Sequence, residues 1–344
     1  MDSSIIITFA IPLFFGLILI EFFYGVITKQ NNYRINDAIT SMSLGLISRF
    51  VPILGLGFQY VVYKAVAEHY NLKLLSGEEI WVWVTAFILY DICYYWMHRM
   101  HHEIKVFWAT HVVHHHGEEF NLATALRQTS TGFLWKWVFF LPLFIIGIPP
   151  QMYVTVAGLN LVYQFWVHTE HIGRLGFLEY IFVTPSNHRV HHAQNEDYLD
   201  ANYGGVFILW DRLFGTFIDE RSDLKPVYGT VKPLKSFNPF WANIEVFYQM
   251  IFDSYHTEKF TDKIRVWFSP PNWRPEDVSM KYPIDKNDLS SFEKYDPNIS
   301  LREKIFAGAQ FTVINLMTIV MLFNVQNYIY SEIISIVLLV VSSS

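Results

Sequence analysis

His98-Arg-Met-His101-His102, then eight residues, then His111-Val-Val-His114-His115-His116: seven histidines fall within nineteen residues. A second cluster follows at His168-Thr-Glu-His171 and His188-Arg-Val-His191-His192, and the two clusters hold twelve of the fourteen histidines in the chain. In a helix, residues three and four apart share a face, with Cβ atoms about 5–6 Å apart. His98 and His102 form such a pair. His111, His114 and His115 form a triplet, repeated by His188, His191 and His192, and each triplet is expected to aim its imidazoles at one point. Imidazole is the commonest protein ligand for a metal at neutral pH and suits Fe, Zn, Cu and Ni. A lone histidine on an apolar helix is ordinarily a satisfied core residue. This many imidazoles without metal would each need another hydrogen-bond partner. They also exceed the roughly four to six positions of one first-row ion, so two ions are expected.

The rest of the composition narrows the chemistry. Cys93 is the sole cysteine, which excludes an intrachain disulfide and a thiolate-bound structural zinc. A hydrolytic two-metal site would carry bridging carboxylates. Few lie in the clusters: Glu103, Glu118, Glu119 and Glu170. A nitrogen-rich pair of ions beside a bilayer suits oxygen activation by iron. Glu103 follows His102 and points about 100° away on a helix; it is a candidate for delivering protons, with plain solvent exposure the alternative.

Working outward, the apolar run 80–97 delivers His98 at its end. Asp91, Tyr95, His98 and His102 share one helical stripe at i, i+4, i+7 and i+11. A carboxylate at that depth faces protein, so Asp91 is expected to orient a histidine through Tyr95 or a water, or to hold a buried structural network. The runs 133–148 and 152–167 form a hairpin turning at Pro149-Pro150. It leaves after the first cluster and returns at His168, which puts both clusters on one face. Residues 5–27 match the length of about twenty needed to span a bilayer; Glu21 within them is expected to reach toward the headgroups. Residues 38–67 are apolar but interrupted by Arg49 and Pro52, and read as a kinked or re-entrant span. Lys29 and Arg34, in the short loop on the histidine side, mark that side as cytoplasmic. The acidic stretch 68–79 then faces outward. Residues 218–303 are charged and dotted with proline, and their Phe237, Phe240, Trp241 and Phe247 suggest a cap or an interfacial helix. Two apolar helices, 305–323 and 328–341, close the chain.

Of the 344 residues, 52% are hydrophobic and only 16% charged, against roughly 25% charged in soluble proteins. An aromatic share of 18% suits a bilayer protein. A net charge of −6 without a basic block argues against a nucleic-acid partner. The first apolar run lacks a small-residue cleavage site and is expected to be retained. The fold expected is therefore an all-α, multi-pass integral membrane protein, its transmembrane hairpins capped by a cytosolic helical domain carrying a dinuclear metal site. Four parts are read: N-terminal transmembrane helices (1–79), a histidine-rich core (80–217, with the hairpin 133–167), a cap (218–303) and C-terminal membrane helices (304–344). The metal site would face the cytoplasm from a bacterial inner membrane or the endoplasmic reticulum.

The order HxxxH, HxxHH, lone His, HxxHH, interleaved with hydrophobic hairpins, resembles the fatty acid hydroxylase/sterol desaturase superfamily of membrane di-iron enzymes, and within it the alkylglycerol monooxygenases. The resemblance runs through Asp91-Ile-Cys-Tyr-Tyr-Trp-Met-His98, Asn121-Leu-Ala-Thr-Ala-Leu-Arg127-Gln128, Gln164-Phe-Trp-Val-His168, Thr184-Pro-Ser-Asn-His188, Asn202-Tyr-Gly-Gly and Trp210-Asp-Arg-Leu-Phe-Gly-Thr-Phe217. It implies metal ligands at His98, His102, His111, His114, His115, His168, His188, His191 and His192. His101 and His116 fall outside that pattern, and His171 is ambiguous. It further implies two Fe2+ ions, O2 as co-substrate, a membrane lipid as substrate and tetrahydrobiopterin as reductant. Hydroxylation of the carbon next to an ether oxygen would give a hemiacetal that collapses to an aldehyde and a glycerol derivative. Arg127 and Gln128 are candidates for a headgroup or cofactor contact, with helix packing the alternative. One rival is a sterol, fatty-acyl or carotenoid hydroxylase or desaturase fed by a separate electron-donor protein. The other, a metal transporter or sensor, expects ligands at mid-membrane on broken helices.

Overall fold

The computed structural model describes residues 3–54, 58–75, 77 and 79–343, the side chains of residues 3–11 and 52 excepted. The described chain is helical; β structure within it is limited to the isolated bridges Phe182–Phe207 and Ala193–Tyr228. α1 (Ser3–Thr28) leads through a short loop to α2 (Ile35–Ser48), α3 (Phe50–Ile53) and α4 (Gln59–His69). The interrupted run 38–67 is thus split: α2 stops at Arg49, and residues 55–57 lie outside the described part.

α5 (Ile80–Glu103) is 24 residues long, about 36 Å at 1.5 Å per residue. It runs without a break from the apolar segment through His98 and His102, and Ile104, with φ −122° and ψ 123°, ends it. α6 (Lys105–Trp108) and α7 (Val112–His115) are single turns that fold the chain back over that end. α8 (Leu141–Ile146) and α9 (Pro150–Trp166) form the hairpin. Its first arm departs from the continuous helix expected: residues Gly132–Leu134 and Lys136–Phe140 are 3-10 turns. Pro142 accounts for this: it has no N–H to donate into a preceding turn and is tolerated in the first turn of a helix, so α8 begins at Leu141.

α5 packs along α9, and α9 along α1. Between α4, α5 and the hairpin, Tyr63 stacks on Phe144 at 4.2 Å and Tyr90 on Phe140 at 4.8 Å, giving the main apolar core. At the far end of the hairpin, Leu72 and Leu74 donate to the carbonyls of Ile145 and Ile146 at 2.8 and 3.0 Å. Gly147 (φ +118°) closes that end, where a Cβ would meet Asn71 Oδ1 and Leu75 N at 3.1 Å. Glu21 corrects the expectation made for it. It is buried and accepts from Leu122 N at 2.7 Å, from the Tyr33 hydroxyl and from Thr169 Oγ1. A carboxylate with three such donors stays inside, tying α1 to the loops around the histidines.

α10 (Pro185–His191) and α11 (Leu209–Phe214) complete the histidine-bearing core. α12 (Pro239–His256), α13 (Phe260–Phe268) and α14 (Glu276–Lys281) follow, α12 packing on α2 and α7 and α13 on α6. α15 (Leu301–Phe323) and α16 (Tyr330–Ser343) pack on each other, and α15 also contacts α2. Ser300 and Glu303 form a reciprocal capping box at the start of α15. Among the described residues, α5 and α15 are the two helices long and apolar enough to cross a bilayer. α15 buries only Ile314, Thr318 and Met321 and leaves Ile305, Phe306, Val313, Leu316 and Val320 exposed. Such a face needs an apolar surrounding.

Candidate metal centre

Both histidine clusters meet at the C-terminal ends of α5 and α9. Nine imidazoles gather in two groups: His98, His102, His111, His115 and His191 in one, and His114, His168, His188 and His192 in the other. The nitrogens of each group lie within 4.8 Å of one another. The groups cut across the sequence triplets, which corrects the expectation that each triplet serves one point. In an α-turn the first and fifth residues lie about 40° apart and the fourth lies about 60° to the other side. His111 and His115 therefore face one group and His114 the other; His188 and His192 face the second group and His191 the first.

The hydrogen bonds fix the chemical character of these nitrogens. Nδ1 of His98 lies 2.8 Å from the Tyr203 carbonyl, Nδ1 of His191 2.9 Å from that of Ala201, Nδ1 of His114 3.1 Å from that of Arg127 and Nδ1 of His168 2.8 Å from that of Gln164. A carbonyl only accepts, so each Nδ1 carries the proton and each Nε2 presents a lone pair. The Nε2 atoms of both groups face one another. His114 Nε2 and His168 Nε2 are 3.2 Å apart, His168 and His188 3.0 Å, His98 and His111 3.0 Å, and His102 and His115 3.1 Å. In the His114–His168 contact both nitrogens are acceptors, so it cannot be a neutral hydrogen bond. His191 Nε2 is buried without any partner. A cation resolves both. With metal–nitrogen bonds of about 2.1 Å, two ligands at right angles sit about 3.0 Å apart. The donor set therefore fits two metal ions held by neutral imidazoles, and burial holds these rings neutral by pushing His111, His114, His115, His188, His191 and His192 well below the ordinary range, and His168 down to about 4.

The carbonyls behind the ligands are themselves fixed. Asp211 accepts from Tyr203 N at 2.7 Å and Gly204 N at 2.8 Å, and Asp91 from Val206 N at 2.9 Å and Phe207 N at 3.0 Å. Two carboxylates thus clamp the 203–207 loop that supports His98. The glycines follow from this approach: a Cβ on Gly204 would meet the Phe207 carbonyl at 2.6 Å, and one on Gly205 would meet Asp91 Oδ1 at 2.8 Å. α10 starts with Pro185 and a reciprocal capping box between Thr184 and Asn187. Arg189, on its far side, holds Glu220 through two bonds of 2.8 and 2.7 Å.

Residues 83–216 match the fatty acid hydroxylase family. The chain is 38% identical over 285 residues to an alkylglycerol monooxygenase of Xenopus tropicalis, covering 83% of the chain and 63% of that protein. It is 40% identical over 267 residues to the Homo sapiens alkylglycerol monooxygenase, covering 77% and 59%. An ornithine lipid hydroxylase of Rhizobium tropici is 28% identical over 142 residues, 39% of the chain and 41% of that protein. The chain thus spans about three fifths of the length of the alkylglycerol monooxygenases it matches. It matches no solved structure.

Within residues 83–216, the other singled-out residues take varied places. Asp91 bonds no histidine; besides the loop it accepts from Trp210 Nε1 at 2.9 Å and Asn160 Nδ2 at 2.7 Å, while the Tyr95 hydroxyl meets Thr216 Oγ1 at 2.9 Å. Glu103 is partly exposed and paired with Arg99 at 2.7 Å. Arg127 is fully buried, donating to the Val113 carbonyl at 2.9 Å and Ser41 Oγ at 3.2 Å beside Asp37 at 3.4 Å. These partners are all protein, and its own carbonyl serves His114. Gln128 donates to the Ala125 carbonyl at 3.0 Å. His101, His116 and His171 belong to neither group: His101 bonds the Met97 carbonyl at 2.6 Å, and His171 packs edge-on against Tyr24. Asp211, Arg189 and Asp200, whose Oδ1 lies 3.8 Å from His102 Nδ1, were not singled out from the sequence. Asp211 could have been found, because it lies in the quoted Trp210-Asp run; Asp200, a left-handed loop residue (φ +56°), offers no such pattern.

Proposed function

We propose that this protein is a membrane lipid monooxygenase that holds two iron ions, one in each histidine group. Its best-supported reaction is hydroxylation of the carbon next to the ether oxygen of an alkylglycerol-type lipid. The observation that carries the reading is the convergence of imidazole Nε2 atoms at 3.0–3.2 Å in two separate groups. The similarity to alkylglycerol monooxygenases favours the ether lipid over other substrates. When bound, the iron pair would supply the activation of O2, one oxygen atom entering the C–H bond next to the ether oxygen and the other leaving as water, with two electrons from the C–H bond and two from reduced tetrahydrobiopterin as the proposed source.

The chain's own residues hold, orient and keep dry. Carbonyls of Tyr203, Ala201, Arg127 and Gln164 set the ligand tautomers, Asp91 and Asp211 fix the loop that carries the Tyr203 carbonyl, and the buried side chain of Arg127 anchors its own. Phe120 stacks over His168 at 5.6 Å and Tyr228 over Phe120 at 4.9 Å, an aromatic roof that excludes water from the four-histidine group. Glu103, at the solvent edge beside Arg99, would pass protons inward. In our reading the spans cross the bilayer several times and the metals face the cytoplasm. The ligands sit at helix ends, which favours this reading over a transporter with a mid-membrane site.

The test is oxygen consumption by purified, iron-loaded protein in lipid nanodiscs given an alkylglycerol and reduced pterin under 18O2. One labelled oxygen in the aldehyde-forming product is expected. Tight iron binding with no oxidation of any ether lipid would overturn the substrate, and product analysis with sterols and fatty acyl lipids would identify the alternative.

A further inference from the structure

Two polar groups beside the metal centre lack the partners they need, and the reading above uses neither. His101 is wholly buried, and its Nδ1 donates to the Met97 carbonyl at 2.6 Å. Nδ1 therefore carries the proton and Nε2 keeps a lone pair. Among the described residues no donor reaches that Nε2, although an unmatched buried acceptor is costly. The ring stacks on Phe107 at 5.4 Å, lies 5.7 Å from Phe139 and stands edge-on 6.1 Å from His111 of the five-histidine group.

The complementary group is Lys136. It is the one charged residue in the apolar arm 133–148, and an ionisable residue in such a segment ordinarily has a partner or a function. Among the described residues it has neither a hydrogen bond nor an ion pair. Residues three apart eclipse in a 3-10 turn. Within Lys136–Phe140 the lysine thus shares a face with Phe139, whose ring packs against His101. Gly132 leaves room for the lysine stem, since a Cβ there would meet Lys136 Cε at 3.0 Å. The Lys136 charge acts on His101 and on His114 of the four-histidine group. The niche therefore borders both groups of ligands.

A lone pair short of a donor and an ammonium short of an acceptor, close together yet not bonded, call for a small group that does both. A hydroxyl donates to Nε2 and accepts from Nζ. An ionised carboxylate or phosphate would satisfy the ammonium alone and turn a second lone pair on the imidazole, and an apolar group would leave both unmatched. We propose that His101 and Lys136 bind a hydroxyl of the glycerol head of the lipid substrate. In an alkylglycerol that hydroxyl stands only a few bonds from the carbon next to the ether oxygen. Holding it beside His111 and His114 presents that carbon to the metal pair. The proposal rests on the lipid monooxygenase reading and gives its substrate's polar head a place. Solvent water offers the same donor and acceptor, and the test separates the two.

Equilibrium binding tests it, with the full, metal-loaded chain in nanodiscs under anaerobic conditions and without reductant, so that nothing turns over. The probes are an alkylglycerol and an alkyl propyl ether of the same chain length, which lacks both hydroxyls, each measured by displacement of a fluorescent alkyl lipid. Wild-type protein should hold the alkylglycerol at least about 10-fold more tightly. Lys136→Met, with an uncharged side chain of similar reach, and His101→Leu should each remove most of that preference by loosening the alkylglycerol. The propyl ether should bind as it does to wild type, and metal content should stay at the wild-type level. A wild type without the preference, a preference that survives both substitutions, or equal loss of both lipids overturns the site and leaves the niche to water. Either variant decides the matter if the other does not fold. A preference lost in the variants, with no ether lipid oxidised by wild type, would sink the catalytic reading and leave the hydroxyl site standing. Ether-lipid oxidation with the preference intact in both variants would sink the site alone.

Discussion

His188 and His101 are both buried histidines in the same small volume, yet only one presents a lone pair to other imidazoles. His188 Nε2 lies 3.0 and 3.2 Å from the Nε2 atoms of His168 and His192, whereas His101 packs on Phe107 and belongs to neither group. Replacing His188 by alanine leaves three donors in its group, so metal content measured by mass spectrometry should fall from two ions per chain to about one. His98→Ala leaves four donors and should weaken, not abolish, the other site. His101→Leu should keep both ions. Loss of metal in His101→Leu equal to that in His188→Ala would contradict the assignment.

At the scale of an element, the 203–207 loop depends on Asp91. Replacing it by leucine strands the amides of Val206 and Phe207 and the Trp210 indole. Unmatched buried donors cost about 1–3 kcal/mol each, so Asp91→Leu should lower the melting temperature well below that of Asp91→Asn and loosen the five-histidine site first. Lys105, where α6 turns back over the end of α5, gives a pH test. Burial pushes its amine down to about 8, with Asp253 opposing. The unfolded chain keeps that proton to about 10.5, so between pH 8 and 10.5 the unfolded state binds more protons and stability rises with pH. The contribution is present above 10.5 and lost as pH falls through 8. Wild-type protein should therefore gain up to about 3 kcal/mol relative to Lys105→Met across that window, read from thermal unfolding in detergent.

For the whole molecule, the hairpin α8–α9 sets which ends share a side. Residues 72–75 bond to its turn at Ile145 and Ile146, while the histidines gather at its open end. Exposed Lys73 and Lys235 should therefore lie on opposite sides of the bilayer. In sealed vesicles of a Cys93→Ser background, Lys73→Cys and Lys235→Cys should react with an impermeant maleimide from opposite faces. Labelling of both from one face would refute the threading.

The histidine spacings alone were enough to indicate a two-metal, nitrogen-rich centre, because a helical period brings residues three and four apart onto one face. The long apolar runs likewise marked α5, α9 and α15, since burial in an apolar medium needs an unbroken stretch of matching side chains. Only the tertiary structure decided how the triplets divide, because a 100° step between neighbouring rings matters only once a partner helix stands opposite. It also decided the parts played by Asp91, Arg127 and Glu21, whose partners lie dozens of residues away: a carboxylate or guanidinium looks the same in sequence whether it meets substrate or a backbone amide, and closure of the chain alone makes the difference.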